Sequence, residues 1–115
     1  MNENIQVVDH KGAMERLDND QELWDEIRAI WIEDAPAMLQ GVRDALAAGS
    51  QDGLRRAAHA LKGASANVGA TRVAEAARIL ESDATSSSWE SLAAGVSDLE
   101  SEVEKAMQAL AGPLP

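Results

Sequence analysis

The chain has 115 residues, no cysteine, and 20 acidic against 10 basic side chains, for a formal net charge of −10. This length suits one domain that buries its own core, and the missing cysteine excludes disulfides, thiolate zinc sites and cysteine nucleophiles. The acidity excludes general affinity for nucleic acid or anionic membrane, whose phosphates it repels.

Tyr and Phe are absent, and Trp24, Trp31 and Trp89 are the aromatic residues. A composition rich in Ala, Leu, Glu and Arg leans to helix, since strands favour aromatic and β-branched residues. The first residues, MNENIQVVDHKG, have no basic start followed by an apolar run, so no secretory signal is expected. No stretch approaches the roughly 18 apolar residues of a membrane span, so no membrane insertion is expected and the cytoplasm is the default compartment.

Residues 1–8 carry little pattern and are expected to lie loose or extended. Asp9 can cap a short helix through Leu17, with Ala13, Met14 and Leu17 on one side. Asp18-Asn19-Asp20 reads as a turn, and Asp20 as the next N-cap. Leu23, Ile27, Ile30, Trp31, Met38, Val42 and Leu46 then recur at helical spacing. Pro36 interrupts this run, which predicts a kink there, or one helix ending and another starting at Asp34. Ala48-Gly49-Ser50 ends the segment.

Ser50 can cap a helix with Leu54, Ala57, Ala58, Leu61, Ala64, Ser65 and Val68 on one stripe, stopped by Gly69. Thr71 is the expected cap of a following helix with Val73, Ala76, Ala77 and Leu80 inward. After a polar loop over Asp83 to Ser86, Ser87 and Glu90 have capping-box spacing. The last helix presents Trp89, Leu92, Val96, Leu99, Val103, Ala106, Met107 and Leu110, the seam of an antiparallel bundle. The three tryptophans fall on these stripes and are expected in the core or at its edge. The predicted fold is all-α: an up-and-down antiparallel four-helix bundle over residues 9–111 with a short extra N-terminal helix, a loose segment 1–8 and a tail 112–115.

One residue breaks the pattern. With Leu61 facing the core, His59 falls about 160° away on the helix wheel, Arg55 about 120°, Lys62 about 100°, Ala66 about 140° and Gly63 about 200°. An imidazole therefore stands on the solvent face beside cations and a residue without a side chain. A glycine inside a helix costs about 1 kcal/mol relative to alanine. Helical side chains lean toward the N-terminus, so any side chain at 63 would lean over His59. An open imidazole with a flexible cation nearby suits a nucleophile that accepts a phosphoryl group: the neutral ring attacks and the cation offsets charge on the transferring oxygens. By periodicity alone, an ordinary surface histidine among solvated charges is the more common explanation.

The run Ala58-His59-Ala60-Leu61-Lys62-Gly63-Ala64-Ser65-Ala66-Asn67-Val68-Gly69-Ala70 closely resembles the signature of histidine-containing phosphotransfer (HPt) domains. Trp31 to Pro36, Asp44 to Ala58 and Arg72 to Glu81 also read like that family, so the direct resemblance covers roughly residues 9–84 and the last helix follows by pattern. The resemblance implies a small helical bundle without an ATP site or kinase activity of its own, a phosphocarrier in a multistep His–Asp relay. Such a carrier takes a phosphoryl group from a receiver-domain aspartate and passes it to another receiver. His59 would be the acceptor, Lys62 would stabilise the phosphoryl oxygens and Gly63 would keep access open. Family members often place Gln or Glu on the next helix to hold the inner ring nitrogen; here that is Glu81, which has equal claim to be a solvated charge or a partner for Arg78.

The same resemblance implies response-regulator receivers and a hybrid sensor kinase as partners, with magnesium on the receiver and no cofactor of the chain's own. Arg55, Arg56 and Lys62 form an expected basic stripe opposite an acidic receiver site, and Ala60, Gly63 and Ala66 a shallow surface for its approach. A weak, transient interface and a monomeric chain are expected. The alternative from another class is a helical adaptor or dimerisation module without phosphoryl traffic. Other chemistry finds little footing. His10 reads as a surface residue, no His pair has metal-ligand spacing, and neither a nucleophile elbow nor a glycine-rich phosphate loop is present.

Overall fold

The structure, a computed structural model, describes residues 6–112. Five helices follow in chain order: α1 His10–Arg16, α2 Gln21–Ala47, α3 Gln51–Val68, α4 Thr71–Asp83 and α5 Trp89–Ala111. No strand occurs among the described residues. α2, α3, α4 and α5 each pack on the next, and α5 returns to α2, so four helices close a bundle; α1 lies against α2 and α3. The 27 residues of α2 come to about 40 Å at helical rise, which matches the 41 Å long dimension of the molecule.

Local chemistry sets most helix starts. Asp9, Asp20 and Ser50 each turn a side-chain oxygen onto a free backbone N–H of the first turn, at Gly12, Leu23 and Gly53. Asp18 and Asn19 take positive φ in the turn before α2, a conformation these two residue types tolerate better than most. Two caps differ from expectation. The N-cap of α4 is Ala70, without a side-chain bond, and Thr71 is already helical; its hydroxyl donates instead to the Gln6 carbonyl. The cap of α5 is Ser88, which accepts from the Ser91 N–H. In a run of three serines the sequence offers three equal caps, and packing of the helix chooses among them.

Pro36 neither ends α2 nor starts a new helix; the helix runs continuously from Gln21 to Ala47. The proline is exposed, so water can serve the Ile32 carbonyl that loses its helical donor. The buried face of α2 is Trp24, Trp31, Ala35, Leu39 and Val42. Leu23 and Ile30, expected on the apolar stripe, are exposed, because they lie more than about 100° round the helix from the centre of that arc. Trp24 and Trp31 are buried, whereas Trp89 stands exposed at the edge.

The core runs the length of the bundle, with Leu54, Leu61, Leu80, Leu92, Leu99 and Leu110 almost wholly out of water. The indole nitrogens of its two buried tryptophans are matched. Trp31 Nε1 donates to the buried Ser65 hydroxyl at 3.0 Å, and Trp24 Nε1 to the Val68 carbonyl at 3.2 Å. Each such bond contributes about 1 kcal/mol net, and more is lost when one partner is left buried alone.

Of the segment expected loose or extended, residues 6–8 are described. They are non-helical, with Val7 and Val8 half-buried against the core; residues 1–5 and the tail 113–115 lie outside the described residues. Asp9 N–H donates to the Gly69 carbonyl at 2.7 Å. Gly69 has φ +84°, and a Cβ there would meet the Asp9 carbonyl oxygen at 2.6 Å. Glycine at 69 thus ends α3 and admits the N-terminal strap. The strap and α1 brace the end of α3, whose middle carries the site.

Candidate functional site

α3 presents two faces with different work. Leu54, Ala58, Leu61, Ser65 and Val68 are buried. Between them, His59, Ala60, Gly63, Ala66 and Asn67 are exposed, as the wheel requires for residues on the far side of a 3.6-residue repeat. The His59 side chain keeps 65% of its surface in water. A Cβ built on Gly63 meets nothing within 4 Å. Helix packing therefore does not demand a glycine at 63, and the space it leaves lies beside the imidazole.

α4 packs along α3 and brings Glu81 up to this ring. His59 Nδ1 lies 2.7 Å from Glu81 Oε2, and Lys62 Nζ donates to Glu81 Oε1, also at 2.7 Å. One carboxylate thus holds both groups, each oxygen taking one. Glu81 is itself only 21% exposed. Its carboxyl titrates below the ordinary glutamate range, chiefly because of the Lys62 hydrogen bond and then that of His59, while burial opposes the shift. An ionised carboxylate can only accept. The proton of the neutral ring is therefore on Nδ1, and the lone pair is on Nε2.

Arg78 pairs with Glu75 on its own helix, and Glu81 is left to His59 and Lys62. Lys62 sits differently from expectation: its ammonium rests on Glu81 rather than free beside the outer nitrogen. Its side chain is 32% exposed, and rotation about its stem remains available to carry the charge outward.

The basic stripe is weaker than the sequence suggested. Asp52 pairs with Arg55 at 2.9 Å and with Arg56 at 3.1 Å, and those two cations hold its carboxyl below the usual range, the Arg55 hydrogen bond first. With Lys62 on Glu81, the three cations of the expected stripe face two carboxylates, so the stripe itself carries an excess of a single positive charge. Asp52 precedes Arg55 and Arg56 by three and four positions, the spacing at which helical side chains meet, so that signal was present in the sequence. Ala60 and Ala66 are exposed as expected, but the Ala66 carbonyl accepts from Arg16 of α1 at 2.8 Å. Arg16 is a cation at this face that sequence reasoning missed, because only the docking of α1 brings it there.

His10 was expected at the surface. It is half-buried, its ring edge-on to Trp24 with centroids 4.6 Å apart. Among the described residues no group of three or more His, Asp or Glu side chains is placed to hold a metal ion, and no helix is long and apolar enough to cross a membrane.

Comparison with known proteins adds the family. The family model described as Hpt domain matches residues 26–112. No curated protein matches the sequence. In fold the chain is similar to histidine-containing phosphotransfer protein B (HptB) from Pseudomonas aeruginosa PAO1, with a TM-score of 0.82 and 23% identity over 91% of each chain. It is also similar to the HPT domain of a sensor hybrid histidine kinase from Shewanella, with a TM-score of 0.81 and 18% identity over 94% of this chain and 93% of that one.

Proposed function

Because this chain belongs to the Hpt domain family, we propose that His59 is the residue on which it carries a phosphoryl group. Its role as a phosphocarrier in a His–Asp phosphorelay, partnered by receiver domains and hybrid kinases, comes with the family. One observation supports the residue assignment above all: a ring 65% exposed whose Nδ1 is held at 2.7 Å by Glu81. That contact leaves Nε2 as the free nucleophile, pointed away from the carboxylate across the ring.

In the loading step the Nε2 lone pair attacks phosphorus of a receiver's aspartyl phosphate. The P–O bond to the aspartate breaks, and the carboxylate leaves with the electron pair. Lys62 leaves Glu81 for the phosphoryl oxygens and offsets their charge. Gly63 keeps the line of attack clear. Ala60, Ala66, Arg55 and Arg56 border the ring and make the surface on which a receiver would sit. In this reading magnesium belongs to the receiver, the chain needs no cofactor and has no kinase activity, and it works as a cytoplasmic monomer.

The test is incubation with a phosphorylated receiver and its upstream kinase. A label on the chain that is stable in alkali and lost in acid supports the carrier. No label with any receiver from the same cell returns the chain to an adaptor or dimerisation role.

A further inference from the structure

The assignment of His59 concerns how the ring accepts phosphorus; the bridging carboxylate also bears on how the ring lets it go. We propose that Glu81 is a positioning residue for release: it holds the proton on Nδ1 of the loaded ring, so that the P–Nε2 bond always breaks from a cationic imidazole. This rests on the His59 assignment and extends it to the outward step.

The chemistry requires that proton. With phosphorus on Nε2 and hydrogen on Nδ1, the ring carries a positive charge. An aspartate oxygen of the next receiver forms a bond to phosphorus. The P–Nε2 bond breaks, its electron pair passes to Nε2, and the ring becomes neutral imidazole with Nδ1 still protonated. No proton is exchanged with water. A loaded ring that had lost the Nδ1 proton would have to depart as imidazolate, a far poorer leaving group.

The geometry supplies what the loaded ring needs. A carboxylate 2.7 Å from Nδ1 favours the cationic ring over the neutral one, as an opposite charge at such range does. Glu81 enters the loading step ionised, with Lys62 on one oxygen and His59 on the other. The phosphoryl oxygens compete for Lys62, and as the ammonium turns to them the charge of Glu81 is left to the ring alone. Few other charges intrude. From α3, Arg55 and Arg56 are tied to Asp52. From α4, Arg78 is tied to Glu75. From α2, Arg28 pairs with Asp25 and Arg43 with Glu100, and from α1, Arg16 rests on the Ala66 carbonyl. Lys62 and His59 are the charged or titratable groups that act on Glu81.

The experiment loads the protein chemically with phosphoramidate and follows the ³¹P resonance of the phosphohistidine against pH, in the wild type, Glu81→Gln and Lys62→Met. His59→Gln, treated alike, must give no such resonance. The wild-type ring should hold its proton to a pH about one unit or more above Glu81→Gln, and Lys62→Met should move the other way, above the wild type. Loss of packing alone would not give shifts of opposite sign. Coincident titrations, or a higher midpoint in Glu81→Gln, overturn the proposal. Transfer to a receiver should follow the same order, the rate in Glu81→Gln falling away at lower pH than in the wild type. Protein that titrates as expected yet passes phosphorus to no receiver would sink the relay reading and leave the Glu81 assignment standing.

Discussion

His10 and His59 carry the same ring into opposite surroundings. His10 opens α1 with its ring edge-on to Trp24, and its Nε2 is buried without a hydrogen-bond partner among the described residues. His59 stands on the outer face of α3, mostly in water, with one nitrogen held by a carboxylate and the other free. The first ring is used as a flat apolar plate. The second is fixed in tautomer and orientation while its reactive nitrogen remains open. Accessibility alone does not separate them, since many surface histidines are accessible. The difference is exposure combined with a directed acceptor that leaves one nitrogen available.

Removing the exposed ring should have the largest effect. His59→Gln should abolish labelling from a phosphorylated receiver while far-ultraviolet circular dichroism stays unchanged. Label that survives in this variant places the acceptor elsewhere, and His10 would be the first residue to test. Next in size is Gly63→Leu. The position is open, so the variant should fold, with up to about 1 kcal/mol gained from replacing a mid-helix glycine. Transfer should nevertheless fall tenfold or more, on the order expected when a reacting pair is displaced by an ångström or so. Unchanged rates in a transfer time course would show that the space beside His59 is incidental.

Lys62→Ala should slow transfer on the order of tenfold without ending it, less than for a donor in a site closed to water. Full activity would make Lys62 a structural partner of Glu81 only. A smaller effect concerns acid. Glu81 titrates below its ordinary value in the folded chain, so its contribution to stability is complete above the unfolded glutamate range and is lost as pH falls through the lowered folded value. The stability difference between the wild type and Glu81→Gln, from urea melts, should therefore shrink on acidification below about pH 4.5. A difference that grew instead would contradict the ion-pair geometry. Smallest is His10→Phe. It keeps a ring against Trp24 and removes the unpartnered nitrogen, so stability should rise by up to about 1 kcal/mol with labelling intact. A large loss of stability would mean that the buried nitrogen has a partner in solution.

The contrast between the two rings was half legible in the sequence. The outward position of His59 follows from the buried Ala58 and Leu61 beside it, since a residue with core positions one before and two after it falls on the far side of the helix. The bundle was legible for the same reason: apolar spacing of three and four survives any choice of neighbours, and Asp9, Asp20 and Ser50 cap locally. What failed depended on tertiary choice. Leu23 and Ile30 are apolar enough for the core, but Ala35 and Leu39 occupy the arc that faces it. The use of Glu81 by His59 rather than Arg78 is decided by how α4 lies along α3, which no local pattern records. His10 was misplaced because its contact, Trp24, comes from another helix. Asp52 was the one local signal left unread, and it offsets one of the three positive charges expected at the site.

On the geometry of the Glu81 contact, Nε2 of His59 is the free, reactive atom. Nε2 has a ring C–H on either side, whereas Nδ1 has one, so phosphorus–proton coupling in the labelled protein identifies the nitrogen. After loading from a phosphorylated receiver, one phosphohistidine signal coupled to both ring protons of His59 is expected. Coupling to a single ring proton, to His10, or a label lost in alkali as an acyl phosphate would be, would contradict it.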